Sequence, residues 1–199
     1  GVIQGKISSL ADGSLLMADL LNVKRTIKAA SVAGIYYKNG RVVYLSDVKP
    51  SQVDENANCI RWRDPLPGDL ALPWQADRSA KNTPLKIRNQ SFRKGLGVHA
   101  YSALTWNLDG GYTKFQATIG IDDSANARSP GMPIGNVAFK VLADAKEIFD
   151  SGPVTSTDKP RVIAMDVAKV KNLTLVVTFG DDGNGQGDHA DWALARVIR

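Results

Sequence analysis

Apolar and polar residues alternate with a period of two along most of this 199-residue chain. The alternation is clearest in YTKFQATIGID (112–122) and NVAFKVLAD (136–144). Side chains of a β-strand point alternately to its two faces, so this period indicates strands with one buried face. Asp12-Gly13 and Asp144-Ala145 stand between apolar runs, where tight hairpin turns are expected. The pattern therefore predicts an all-β protein.

The spacing of the predicted strands indicates how they are arranged. From Gly95 onward, turns separate strands that lie 8–12 residues apart, which is typical of a β-sandwich or jelly roll. Within this region GVHAYSALTWNL (97–108) is predicted as one long strand. Short strands and tight turns predict a small β-sheet near the N-terminus, including a strand at VAGIYY (32–37). A helical period fits only short pieces such as SQVDEN (51–56).

Composition excludes several classes of protein. The chain has no run of 18 apolar residues, so no transmembrane helix is expected. The single cysteine, Cys59, excludes an internal disulfide framework and a cysteine-built zinc site. With His99 and His189 as the two histidines, a three-histidine metal centre is impossible. The opening GVIQGKISSL has neither the basic nor the long apolar region of a signal peptide.

The positive charge lies in the first half of the chain. Residues 1–100 carry 15 Lys and Arg against 8 Asp and Glu, whereas residues 101–199 carry 10 against 12. Basic residues close to aromatic ones are typical of single-strand nucleic-acid binding. No known motif accompanies them, and a solvated charged surface explains them equally, so we predict no nucleic-acid partner. The basic residues of this segment are Arg61, Arg63, Arg78, Lys81, Lys86, Arg88, Arg93 and Lys94, beside Trp62 and Trp74.

The C-terminal stretch GDDGNGQGDHADW (180–192) combines carboxylates with glycines. An EF-hand is excluded, because the twelfth position of the calcium loop holds Ala193 in place of glutamate. Two interpretations stay open: a glycine-rich hairpin with solvated acids, and a β-loop calcium site using Asp181, Asp182 and Asp188. The second would make calcium a structural ion and not a required cofactor.

A second candidate site is the loop LPWQADRS (72–79). Trp74 offers an aromatic plane on which a pyranose could stack, Asp77 offers acceptors and Arg78 offers donors. His189 and the glycine loop 183–187 could lie beside them. The alternative is that Trp74 is a core residue, as aromatic residues of β proteins usually are.

Catalysis is not expected. A glycosidase needs two carboxylates facing each other across a pocket, and the sequence offers acids without indicating such a pair. No serine stands on a nucleophile elbow, and Cys59 has no histidine near it in sequence.

The chain resembles the NPCBM domain, a module associated with glycoside hydrolases of family 98. The resemblance is carried by residues 95–123, 135–154 and 170–197 and by YLSD at 44–47. The resemblance covers residues 42–199 in order. It implies a galactose-binding-like jelly roll that binds glycans without catalysis. Its most specific motifs are Gly95-x-Gly97-x-His99-Ala100, Gly120-x-Asp122 and Asp188-His-Ala-Asp191-Trp192.

These observations together predict a small β element over 1–41, faintly Sm-like, followed by an NPCBM-like jelly roll over 42–199. The expected function is non-catalytic binding of galactose-type glycans by an exported or cell-surface protein that does not insert into membranes. The alternative is a structural or protein-interaction sandwich that has lost its sugar site. We expect His99, Asp122, Asp188, Asp191 and Trp192 to hold the fold together, since polar motif residues on strands often fix loops.

Overall fold

The structure is a computed structural model that describes residues 1–36, 40–55, 72–126, 134–183 and 185–199. Two compact units make up the chain, residues 1–38 and residues 39–199. Secondary structure in the described residues consists of strands and of short 3-10 helices at Ala29–Ser31, Leu45–Asp47 and Asp123–Asn126. The prediction of an all-β protein is confirmed. No helix in the described part of the chain is long and apolar enough to cross a membrane.

The first unit has three strands, β1 (Gly5–Ala11), β2 (Ser14–Asp19) and β3 (Lys24–Lys28). They form an antiparallel sheet in the order β1-β2-β3. Asp12 and Gly13 take φ values of 51° and 67° between β1 and β2, so the predicted tight turn is confirmed. The strand predicted at 32–37 is absent from its described residues, 32–36.

The second unit is a sandwich of two antiparallel sheets, as predicted for a jelly roll. Its described strands are β4 (Val42–Tyr44), β5 (Gln52–Asp54), β6 (Gln75–Ala76), β7 (Lys86–Ile87), β8 (Gln90–Ser91), β9 (Gly95–His99), β10 (Ser102–Asn107), β11 (Lys114–Ile121), β12 (Asn136–Ala143), β13 (Lys146–Thr155), β14 (Arg161–Asp166), β15 (Asn172–Phe179) and β16 (His189–Ile198). In the described residues, one sheet has the order β13-β12-β15-β10-β5, and the other has the order β14-β11-β16-β9-β6, with β4 pairing with β16. A separate hairpin is formed by β7 and β8.

The main hydrophobic core lies between the two sheets. Trp192 of β16 and Trp106 of β10 are among its fully buried side chains. The ring of Trp192 meets the ring of Phe139 at 5.0 Å between centroids with an interplanar angle of 88°. Such edge-to-face contacts add to the hydrophobic gain from burial.

A second layer covers the outer face of β9 and β16. Leu85, Ile87 and Phe92 of the β7–β8 region pack with Ala193 of β16 in a cluster of their own. The layer can approach because β9 has glycine at position 97, where a Cβ atom would collide with the backbone of Ser79. The β7–β8 region therefore covers this face of the sheet.

The predicted long strand over 97–108 is wrong, because the chain changes sheets at Ala100 and Tyr101. β9 pairs with β16, whereas β10 pairs with β15. The helical turn predicted over 51–56 is also wrong in its described part, since Gln52–Asp54 pairs with the edge of β10. In both places the backbone hydrogen bonds go to a strand that is distant in sequence.

Candidate functional site

The two histidines meet at one end of the sandwich. His189 begins β16 and is paired in register with His99, which ends β9, and their ring centroids lie 5.7 Å apart. Four other strands end or begin at this same level, at Ile121, Asn136, Thr155 and Phe179. We call this end, with the connections that leave these residues, the loop end.

Facing glycines bring two connections of the loop end into backbone contact. Gly135 and Gly187 both have left-handed φ values, 92° and 79°, which glycine adopts without strain. A Cβ atom on Gly187 would lie 3.1 Å from the backbone nitrogen of Gly135. Asp188 ties the two segments together, because its Oδ1 accepts a hydrogen bond of 2.9 Å from the N–H of Asn136.

Asp188 is a buried acid with an incomplete set of partners. Its side chain is fully buried, and its Oδ2 has no hydrogen-bond partner among the described residues. Burial raises the pKa of this carboxyl to about 7, opposed by the Asn136 hydrogen bond and supported by the charge of Asp182. The adjacent Oδ1 of Asn136 is also buried without a partner.

The histidine pair is held by neutral hydrogen-bonding groups. Nδ1 of His189 lies 3.1 Å from the hydroxyl of Ser124, and Nδ1 of His99 lies 2.6 Å from the carbonyl oxygen of Ala100. Burial, together with the neighbouring His99 and Lys81, lowers the pKa of His189 to about 4. Burial also lowers the pKa of His99. Both rings are therefore uncharged at neutral pH.

Asp122 and Asp123 fasten the outer layer to the sheet. Oδ2 of Asp122 accepts the N–H of Lys86 at 2.9 Å, and the Asp123 carboxylate accepts the N–H groups of Arg88 and Asn89. Asp191 is fully buried beside them. Burial and the Asp122 carboxylate raise the pKa of Asp191 well above its usual range.

The structure gives Trp74, Asp77 and Arg78 partners within the protein. Trp74 is half-buried and packs against the main core. Asp77 accepts hydrogen bonds from Lys94 at 2.6 Å and from the N–H of Gly95 at 3.1 Å. Arg78 is exposed and donates from Nη1 to the carbonyl oxygen of Asn82 at 3.2 Å. Their role in sugar binding, like that of the buried His189, stays a prediction.

A polar cleft of about 310 Å³ opens at the loop end. Its lining combines two hydroxyls, two amides and one carboxylate with an apolar side chain and a glycine. The lining residues are Ile134, Gly135, Asn136, Thr155, Thr157, Asp182 and Gln186. We call it the loop-end cleft.

Among these lining residues, the sequence indicates Asp182 as a candidate calcium ligand and Gln186 only as part of the glycine loop 183–187. Asn136, Thr155 and Thr157 belong to strands or connections that carry no motif for ligand binding. Gln186 stands inside the glycine-rich stretch, and its polar side chain between glycines was the one available signal. The cleft forms only when three segments, 134–136, 155–157 and 182–186, come together.

The predicted calcium site is only partly assembled. Asp188 is buried, whereas Asp181 and Asp182 are exposed, and Oδ1 of Asp181 accepts a 2.5 Å hydrogen bond from the Asn136 side chain. The described residues contain no group of three acidic, histidine or cysteine side chains arranged to hold a metal ion. Two buried oxygens without partners, Oδ2 of Asp188 and Oδ1 of Asn136, are of the kind that calcium binds. Calcium at this place stays a prediction.

Heat stability tests the calcium prediction. Calcium at about 100 times its dissociation constant should raise the Tm of the wild type by about 5 °C, because a ligand that binds only the folded state stabilises it. The Asp188→Asn variant, which lacks the buried charge, should show no such shift. The measurement is thermal unfolding at pH 8, with and without calcium. An equal Tm in both buffers for the wild type would contradict calcium binding.

Three solved structures resemble this chain. A CBM51 module from a Clostridium perfringens GH95 protein, in complex with methyl-galactose, is 26% identical with a TM-score of 0.64, covering 79% of this chain and 99% of that one. The CBM51-2 module of C. perfringens ZmpB, solved with GlcNAc and with INT domains, is 22% identical with a TM-score of 0.66, covering 98% and 40%. Tandem CBM51 modules of a family 98 glycoside hydrolase from Streptococcus pneumoniae are 20% identical with a TM-score of 0.61, covering 88% and 53%.

Among curated proteins, a Renibacterium salmoninarum protein named as a proposed endo-alpha-N-acetylgalactosaminidase is 27% identical over 157 residues. The aligned part is 75% of this chain and 10% of that protein. This chain therefore spans about a tenth of the length of the curated relative that it matches.

The family model of the NPCBM/NEW2 domain matches residues 41–198, which is nearly the whole second unit. The resemblance inferred from the sequence motifs is thereby confirmed, with boundaries that differ by one residue at each end. The sandwich of the second unit has the fold of the solved modules. This chain belongs to the NPCBM/NEW2 domain family.

Proposed function

We propose that this chain is a non-catalytic glycan-binding module that takes a galactose-type sugar in the loop-end cleft. The observation that carries the proposal is the cleft itself, whose hydroxyl and amide lining and volume of about 310 Å³ suit one or two sugar rings. Support comes from the solved relative in complex with methyl-galactose, which is 26% identical. A glycan ligand also suits an exported or cell-surface protein.

The chemistry of the cleft suits recognition of hydroxyl groups. Amide groups such as those of Asn136 and Gln186 offer both donors and acceptors, and threonine hydroxyls do the same. Thr157 and Gln186 stand on connections, and Asn136 and Thr155 stand at strand ends, which is where ligand-binding residues of β proteins are usually placed. An exposed site of this size should bind a single sugar weakly, with a Kd in the millimolar to micromolar range on the order of 10⁻³ to 10⁻⁶ M.

The buried polar groups argue for binding without catalysis. Ser124 and His189 form the one hydroxyl–imidazole pair that could be a nucleophile and base at the loop end of the described chain. An imidazole with a pKa of about 4 is too weak a base to activate a hydroxyl at neutral pH. Asp188 and Asp191 are fully buried, so neither can face a sugar across a cleft as a glycosidase requires.

A glycan array followed by titration calorimetry tests the proposal. The wild type should bind methyl galactoside, and Gln186→Ala should lower the affinity about tenfold or abolish detectable binding, because it removes hydrogen bonds from the cleft wall. Gln52→Ala is a matched control, since Gln52 is an exposed glutamine on β5 away from the loop end. Equal affinities of the two variants would contradict the cleft as the site.

Trp74→Ala separates the two candidate sites in the same experiment. If the stacking hypothesis holds, binding is lost while the Tm stays at the wild-type value. The contacts of Trp74 with the main core favour the other outcome, a lower Tm with galactoside binding retained below the unfolding transition. Failure of the wild type to bind any glycan would favour the alternative of a structural or protein-interaction sandwich.

A further inference from the structure

The outer layer, residues 78–92, carries charge of one sign. Together with the two residues that follow it, it contains six Lys and Arg and no Asp or Glu. The whole chain has 25 Lys and Arg against 20 Asp and Glu, so this stretch departs from the balance of the rest. A surface of one sign attracts polymers of the opposite sign. The six basic residues are Arg78, Lys81, Lys86, Arg88, Arg93 and Lys94.

The fold of the layer buries its apolar side chains and exposes basic ones. Leu85, Ile87 and Phe92 are buried against the sheet. Arg93 follows Phe92 and is exposed, as expected where successive side chains alternate between two faces. Arg88 is exposed in the turn between β7 and β8, where its φ is 49°. The solvent side of the layer is therefore basic.

The layer extends across three neighbouring strands of the sheet. A Cβ atom on Gly97 of β9 would collide with Ser79 at one end of the layer. A Cβ atom on Gly120 of β11 would collide with the side chain of Ile87. Because β16 lies between β9 and β11, the layer spans two strand spacings, about 10 Å. An extended polymer is the form of ligand that can contact several basic side chains of such a surface at once.

Two of the six basic residues are paired with acids of the protein. Nζ of Lys94 lies 2.6 Å from carboxylate oxygens of both Asp47 and Asp77. Nζ of Lys86 lies 3.8 Å from Asp123, which also accepts backbone N–H groups of the layer. These two lysines are therefore neutralised within the protein.

The other four form no ion pair with an acid of the described residues, and we call them the basic patch. Arg78 bonds to a neutral group, the carbonyl oxygen of Asn82. Segments 56–71 and 127–133, which lie outside the described residues, contain three Arg and two Asp, so their composition does not reverse the sign of the charge. The basic patch consists of Arg78, Lys81, Arg88 and Arg93, all exposed.

The layer offers positive charge without an aromatic plane. Sites for single-stranded nucleic acid combine basic side chains with aromatic rings on which bases stack. Phe92 is the aromatic residue of 78–94, and only 7% of it is exposed. Guanidinium groups bind carboxylates and similar planar or tetrahedral anions through paired hydrogen bonds, which need no such ring. The chemistry of the layer therefore favours an acidic polysaccharide over a nucleic acid.

We propose that the basic patch binds acidic polysaccharides, with the guanidinium groups of Arg88 and Arg93 holding their carboxylate or sulfate groups. This surface is a second glycan contact on the outer face of the sheet, and it does not depend on the loop-end cleft. Binding releases counterions from the polymer, so the affinity should fall about tenfold or more between about 50 and about 200 mM salt.

Biolayer interferometry on immobilised polysaccharides tests the proposal. The acidic polymers are polygalacturonate and dextran sulfate, and methyl-esterified polygalacturonate and dextran are their uncharged counterparts. The test variant is the double substitution Arg88→Gln and Arg93→Gln. The control is Lys146→Gln with Lys171→Gln, which removes the same net charge from exposed positions at the end of the other sheet that lies opposite the loop end.

The wild type and the lysine control should bind an acidic polysaccharide about tenfold or more tightly than its uncharged counterpart. The arginine variant should lose about fivefold or more of that affinity and depend less steeply on salt, with an unchanged Tm. The more tightly bound acidic polymer identifies the anion as carboxylate or sulfate.

Equal affinities of the wild type and the arginine variant would overturn the inference. An equal loss in both double variants would also overturn it, because net charge alone would then explain the binding. Tighter binding to single-stranded oligo(dT) than to either acidic polysaccharide would assign the surface to nucleic acid instead. Methyl galactoside binding, measured on the same variants, should stay at the wild-type value, so that a failure of the cleft and a failure of the basic patch are separate results.

Discussion

Replacing Trp192 with alanine should lower the Tm of the sandwich by about 10 °C or more. The indole is fully buried and contacts the ring of Phe139 across the core and the ring of Phe115 on the neighbouring strand β11. Truncation of a large buried aromatic residue costs about 3–5 kcal/mol, because it removes buried area and leaves a cavity. For a domain of this size each kcal/mol corresponds to about 2–4 °C. Thermal unfolding measured by circular dichroism checks the value.

Val162→Ala is the control for this experiment. Val162 lies on the edge strand β14 and is 76% exposed, so its truncation removes little buried area. Trp192→Phe keeps an aromatic ring and should fall between the alanine variant and the wild type. A Trp192→Ala protein that unfolds within 2–3 °C of Val162→Ala would contradict the central place of this residue in the core.

Replacing Gly97 with alanine should destabilise the sandwich by about 3 kcal/mol, the upper part of the range for overpacking. A Cβ atom at this position would collide with the carbonyl oxygen of Arg78 and the backbone of Ser79. These are backbone atoms in a layer fixed by Asp122 and Asp123, so they cannot move aside as a flexible side chain would. The 78–92 layer would have to lift from the sheet.

Gly111→Ala is the matched control, because its new methyl group would lie 3.4 Å from the nearest atom, the carbonyl oxygen of Leu108, in an exposed turn. Chemical unfolding gives the free energies of both variants. Amide exchange at Leu85 and Ile87 reports whether the outer layer lifts, since those residues belong to the layer and pack on Ala193 of β16. Similar unfolding free energies for the two variants would show that the layer adjusts to the added carbon.

Local patterns in the sequence predict strands and turns. The alternation over 112–122 and 136–144 corresponds to β11 and β12, and Asp144-Ala145 turns between β12 and β13 with φ values of 47° and 66°. The period of two arises within each strand, so it survives without knowledge of the partner strand. The family motifs are also local, so they identified the module and its fold without knowledge of strand pairing.

The same patterns do not predict which strands pair when the strands lie far apart in sequence. Residues 96 to 108 alternate without a break, with Leu96, Val98, Leu104 and Trp106 all facing inward. The alternation continues through the corner at Ala100 and Tyr101, because both strands present their even-numbered residues to one core. One long strand and two strands in different sheets therefore have the same pattern, and only the pairing distinguishes them.

The candidate site shows the same division most clearly. The sequence by itself determined an all-β sandwich, its membership in a family and the acids, histidines and tryptophans that merit attention. The tertiary structure decided that Asp188 and Asp191 are sealed from solvent, that Asp77 is held by Lys94 and Gly95, and that a cleft opens where three distant connections meet. Burial and pairing depend on contacts between segments separated by tens of residues, and a pattern within one segment does not predict those contacts.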